Sequence, residues 1–183
     1  MLVRLYAHYV TLHSCINSPK HYHPVIRGRY KEIQMIIRKI ERTDLVRVSS
    51  ICINAFMGSV APSLTEEGIA TFKNIASVDG FIGRMEADNE MLAYEENDEV
   101  LGMIEFKEGR HISMLFVSPC SQKKGVGGSL VSSVFRYTRG DTITVRASLT
   151  SVPAYMSYGF KCTGEVGECS GLTYQPMEME INK

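Results

Sequence analysis

The chain has 183 residues, 44% of them hydrophobic, and its 20 Lys/Arg are balanced by 20 Asp/Glu. That is enough apolar material for one domain core, and the zero net charge excludes nucleic-acid binding driven by bulk charge. Five cysteines (Cys15, Cys52, Cys120, Cys162, Cys169) contain no CxxC pair, which argues against a disulfide framework or zinc site and for a reducing compartment.

No apolar run approaches the roughly 18 residues of a membrane span. Arg4, His8 and His13 interrupt any signal-peptide core. A cytoplasmic protein without a membrane partner is therefore expected. The neutral total hides two unlike parts. Residues 1–34 carry Arg4, Lys20, Arg27, Arg29 and Lys31 against Glu32 alone, so five minus one gives +4 and leaves −4 for the rest. They also hold His8, His13, His21 and His23, but no spacing matches a metal-ligand pattern, and no metal is expected. This stretch shows no sustained period. It reads as an N-terminal extension, either poorly packed or foreign to the native protein. In the second case translation would begin at Met35, with Lys31-Glu32 encoded as a purine-rich AAG-GAG just upstream. The domain proper is expected over 35–183.

From Met35 the elements alternate. Residues 35–42 read as a strand, and Thr43-Asp44 as the N-cap of a helix with Leu45, Val48, Ile51 and Phe56 on one face. Ser63-x-x-Glu66 has capping-box spacing and opens a second helix. Strands over 91–95 and 99–106 flank a turn at Asn97-Asp98. A strand over 111–117, a helix over 126–137, a strand over 142–148 and a helix over 152–158 follow. Two closing strands, 160–166 and 172–181, flank a turn at Gly167–Gly171. Interleaved helices and strands with hairpins predict a mixed α/β (α+β) sheet.

The segment between strand 111–117 and the next helix, Gln122-Lys123-Lys124-Gly125-Val126-Gly127, is the chemically loaded one. A helix N-terminus leaves N–H groups unpaired with a partial positive charge. Glycines let a ligand reach that backbone, which suits a pyrophosphate. The segment matches neither a Walker A loop nor GxGxxG. A tight turn with solvated lysines would look the same.

Its context is more specific. MLFVSPCSQKKGVGGSLV and ITVRASLTSVPAYMSYGF together resemble the GNAT superfamily of acyl-CoA-dependent N-acetyltransferases. Gln122 to Gly127 matches that family's Q/R-x-x-G-x-G/A motif after a strand ending in Val-x-Pro, and Ala154-Tyr155 with Gly159-Phe160 matches its next motif. The element order from Met35 onward also fits, whereas residues 1–34 are not covered. The resemblance implies a mostly antiparallel central sheet flanked by helices. In it, strands 111–117 and 142–148 splay apart at the cofactor site.

The resemblance further implies acetyl-CoA as co-substrate and no metal. Pantetheine would pair with backbone near Leu115, Phe116 and Val117, and one N–H there would stabilise the oxyanion, a contribution of about 3–4 kcal/mol. Pyrophosphate would rest on Gln122, Lys123, Lys124, Gly125, Val126 and Gly127. Tyr155 falls at the family's general-acid position, though an aromatic packing on Phe160 is the alternative. The base is less clear. Glu105 is the nearest carboxylate and His111 titrates in the useful range, while relatives often carry Asn where this chain has Arg146. Strand alternation puts His111, Ser113, Leu115 and Val117 on one face and Ile112, Met114 and Phe116 on the other.

The acceptor is expected to be a primary amine, a small molecule or a peptide, bound against the variable region 57–90. No nucleic-acid partner is expected, and a homodimer is left open. Seven acids from Glu86 to Glu99 would attract a cationic amine or form a solvated hairpin tip. Cys120, just before the loop, would be either an ordinary thiol or an activated one. A non-catalytic acyl-CoA-binding module is the alternative to the enzyme.

Overall fold

The computed structural model describes residues 34–181; the rest of the expected extension, its four histidines included, lies outside them. β1 (Met35–Lys39) leads through a single 3-10 turn into α1 (Leu45–Ser59). Asp44 makes no side-chain cap to α1. Its carboxylate instead accepts two hydrogen bonds from Arg38, at 2.6 and 2.9 Å, and one from the Glu41 N–H at 2.8 Å. These contacts hold its pKa below the usual aspartate range, against the opposing pull of burial.

Two further helices follow. α2 (Glu66–Ile75) is capped by Thr65, whose hydroxyl accepts from the Gly68 N–H, so the expected cap at Ser63 moves two residues on. Ser63 closes a separate 3-10 turn. α3 (Val78–Met85) was not expected. Ser77 caps it through the Gly80 N–H, and Phe81 is its buried anchor.

β2 (Asn89–Glu96) and β3 (Glu99–Lys107) form the expected hairpin. Asn97 and Asp98 sit at φ of 51° and 66°, as a two-residue turn matched to strand twist requires. β4 (His111–Val117) precedes α4 (Val126–Val134), β5 (Thr142–Ala147) and α5 (Val152–Ser157). The closing region is subdivided more finely than expected. β6 is only Lys161–Cys162, β7 (Gly167–Cys169) occupies the supposed turn, and β8 (Leu172–Glu180) is reached by a tight turn at Ser170-Gly171.

The strands run in the order β1-β2-β3-β4-β5-β8-β6, with β7 also paired to β8. Every pairing is antiparallel except β4 with β5. One core, including Leu45, Val48, Cys52, Phe56, Phe72 and Met103, lies under α1–α3. The other, including Ile104, Phe106, Leu130, Ile143 and Tyr155, lies under α4 and α5.

The alternation expected for β4 breaks within the strand. Glu105 pairs with Met114 but Phe106 with Ile112, so Ser113 is an extra residue in a bulge. Ile112 therefore packs in the α4–α5 core with Leu115 and Val117, while Met114 and Phe116 pack on the α1–α3 side. Beyond the bulge β4 loses its other neighbour. Its parallel pairing with β5 stops after His111–Thr144 and Ile112–Val145.

Candidate active site

The edge opened by that divergence is made of backbone. Ser118 donates its N–H to Leu101 O on β3 at 2.8 Å. The two-residue strand period then turns Phe116 toward β3 and leaves the N–H and C=O of Leu115 and Val117 facing the gap. The side-chain amide of Gln122 donates to Val117 O at 3.2 Å, in keeping with that orientation.

The chain next enters α4 through Gly125, a left-handed N-cap at φ 85°. There a side chain would be strained, although a Cβ would meet nothing within 4 Å. Lys123 also takes positive φ, at 60°. Gly127 serves packing as well, because a Cβ there would run into the Tyr158 hydroxyl. Gly127 therefore answers to an aromatic neighbour just past the end of α5, and Gly125 to the backbone turn alone.

The gap opens into a cavity of about 970 Å³. Of the expected coenzyme residues, it gathers Leu115, Phe116, Val117, Gln122, Lys123, Gly125 and Gly127. Lys124 and Val126 instead line a smaller cavity of about 580 Å³ that also includes Cys120 and Glu99. Tyr155 lies on the large cavity, 6% exposed and edge-on to Phe160 at 5.3 Å and to Tyr158 at 6.0 Å. Both readings of this residue thus have a physical basis, the ring being packed and the residue lining the cavity. Burial, with Tyr158 second, pushes its phenol well above the usual tyrosine range, so it is protonated at neutral pH.

Glu105 and His111 are not brought to this cavity. Glu105 is 1% exposed, and both its carboxylate oxygens accept from Arg84 Nε at 3.0 and 3.1 Å. Burial holds its carboxyl above the glutamate range, against the pull of Arg84. Arg84 also donates to Ile75 O at 3.0 Å, which ties the end of α2 to α3. His111 Nδ1 lies 2.8 Å from Thr144 Oγ1, and burial, then the charge of Arg146, lowers its pKa.

The acids from Glu86 to Glu99 do not line the large cavity either. Five of them pair with basic residues: Glu86 with Arg42, Asp88 with Arg139, Glu90 with Lys39, Glu95 with Arg38 and Glu99 with Arg47. Among the described residues no group of three or more His, Cys, Asp or Glu could hold a metal. No helix there is long and apolar enough to cross a membrane.

Several cavity residues escaped sequence reasoning. Tyr158, one helical turn past Tyr155, could have been found from i,i+3 spacing. Ser59, Thr71, Cys169 and Tyr174 come from α1, α2 and the β7–β8 hairpin; no local pattern marks them.

A family model described as "Acetyltransferase (GNAT) domain" matches residues 60–181. Solved structures share the fold at low identity. A GCN5-related N-acetyltransferase from Rhodopseudomonas palustris superposes with a TM-score of 0.71 at 18% identity, over 80% of this chain and 95% of that one. The PaiA N-acetyltransferase of Thermoplasma acidophilum, in complex with coenzyme A, gives 0.67 at 19%, over 80% and 99%. YncA of Salmonella typhimurium, a putative acetyltransferase with its cofactor acetyl-CoA, gives 0.61 at 22%, over 81% and 95%. No curated protein matches the sequence.

Proposed function

The chain belongs to the GNAT acetyltransferase family, and on that premise we propose that it moves an acetyl group from acetyl-CoA to a primary amine in the 970 Å³ cavity. One observation carries this reading: an unpaired strand edge, a glycine-capped helix start and Tyr155 line the same space.

Acetyl-CoA would supply the activated acetyl thioester. Leu115 and Val117 would pair with the pantetheine amides by extending the sheet, and a backbone N–H at that edge would stabilise the oxyanion. The loop from Gln122 to Gly127 would hold the pyrophosphate, with Lys123 adding charge and Lys124 and Val126 contributing backbone. The acceptor nitrogen forms the C–N bond as the C–S bond breaks. Tyr155 protonates the departing thiolate and regains its proton through water, which takes the one lost by the acceptor nitrogen.

Among the described residues no carboxylate or imidazole lines the cavity, so we assign the acceptor's proton to water rather than to Glu105 or His111. The test is release of coenzyme A thiol from acetyl-CoA on adding primary amines, for the wild type and Tyr155→Phe. Amine-dependent release that drops in the variant supports the reading. Coenzyme binding with no transfer to any primary amine would instead make the protein a non-catalytic acyl-CoA module.

A further inference from the structure

The end of the cavity away from the helix start has a different chemistry. On β5, Ile143, Val145 and Ala147 are buried in the α4–α5 core. Alternation therefore turns Arg146 to the opposite face of the sheet, the one that α1–α3 cover. Tyr174 reaches the same face from β8, since Met177 of that strand packs with α4 and α5. The guanidinium lies over the Tyr174 ring, 4.9 Å from its centroid, and both residues line the cavity.

Beside them is an aromatic floor. Phe56 and Phe72 stack at 3.8 Å with planes 9° apart, and Phe72 meets Phe116 at 5.3 Å. All three line the cavity. Among the described residues no carboxylate pairs with Arg146, and no Asp or Glu lines the cavity anywhere. A polycationic acceptor would meet a cation there and nothing to pair with. An amine carrying its own carboxylate and an apolar body would meet a guanidinium fork for the first and the aromatic floor for the second.

We propose that the acceptor is an anionic amine with an apolar side chain, of the α-amino-acid type, and that Arg146, presented by Tyr174, selects it by binding the carboxylate. The proposal rests on the acetyltransferase reading above and assigns its unassigned substrate class. A planar fork stacked on an aromatic ring is already oriented when the carboxylate arrives, so little side-chain freedom is lost on binding.

The experiment uses the full chain with acetyl-CoA and five acceptors: L-phenylalanine, L-leucine, their decarboxylated counterparts phenethylamine and 3-methylbutylamine, and spermidine as polycation. The wild type should favour each amino acid over its decarboxylated amine, and spermidine should be the poorest substrate. Arg146→Gln should lower the ratio of kcat/KM for L-phenylalanine over phenethylamine by about 10–100-fold, the worth of a hydrogen bond to a charged group, through KM. Arg146→Lys should restore part of that ratio, since it returns the charge without the fork.

Preference for phenethylamine or spermidine, no transfer to either amino acid, or equal effects of Arg146→Gln on both acceptors would overturn the proposal. Calorimetric titration of the same protein with acetyl-CoA separates the two levels. If the coenzyme binds and amines without a carboxylate are the ones acetylated, only the acceptor class is wrong. If it does not bind, the acetyltransferase reading fails and takes this inference with it.

Discussion

The two ends of the cavity are built from different materials. The end at α4 is backbone: the outward amides of Leu115 and Val117, the left-handed cap at Gly125 and the helix start behind it. The end at α1–α3 and β7–β8 is side chain: Phe56, Phe72, Arg146 and Tyr174, brought together from four elements. A backbone site needs particular residues in one short stretch, because only some residues permit the required dihedrals and close approaches. A side-chain site needs only that the fold deliver the right groups, and those can come from anywhere in the chain. The first end therefore suits a ligand common to a family, and the second one that differs between members.

The comparison can be broken at several points. Tyr155→Phe should cut kcat by about 10²–10⁴-fold with acetyl-CoA affinity little changed; a folded variant with unchanged kcat would leave Tyr155 a packing role only. Away from the cavity, under α3, Arg84→Met should destabilise the fold by about 3–5 kcal/mol in denaturant unfolding, because it strands Glu105 at 1% exposure. Sign matters here. The Glu105 pKa is already raised in the folded protein, and losing Arg84 raises it further. The penalty should therefore grow as pH rises and shrink as the carboxyl protonates, and a pH-independent loss would point to lost packing alone.

Gly125→Val should cost about 1–2 kcal/mol, since a β-branched residue resists positive φ, and the loss should appear in coenzyme affinity as well as in stability. An effect on stability alone would separate the cap from the cradle. The smallest expected change is Ser77→Ala, which removes the cap of α3 and should lower stability by about 1 kcal/mol, or about 2–4 °C in Tm. No shift would mean that packing of Phe81 alone holds that helix.

The same division explains what could be read in advance. The strand 111–117 and the Asn97-Asp98 turn were legible because period-2 patterning and positive-φ residues are local signals. Thr65 displaced Ser63 as a cap because the chain closes a 3-10 turn through Ala61–Ser63 first, and both residues are acceptable caps by type. α3 was hidden by its length of eight residues, its two glycines and its single buried anchor. The bulge at Ser113 was invisible because nothing in His-Ile-Ser-Met-Leu departs from ordinary strand composition. That bulge moves Ile112 onto the face of Leu115 and Val117, while the expected sharing of one face by those two, and of the other by Met114 and Phe116, stands. The Glu86–Glu99 acids were legible as charges, but their basic partners come from distant elements.

The central claim is that the opened edge of β4 and the start of α4 hold acetyl-CoA. Calorimetric titration tests it most directly, on the full chain beside a Gly128→Glu variant. Gly128, in the first turn of α4, also lines the cavity, and a Cβ there would meet Tyr158 only at ordinary contact distance, 3.6 Å, so this change places a carboxylate beside the Gln122–Gly127 loop with little strain. Saturable binding by the wild type, weakened at least about 100-fold in the folded variant by like-charge repulsion, is the result the account predicts. No binding by the folded wild type, or equal binding by both proteins, would contradict it.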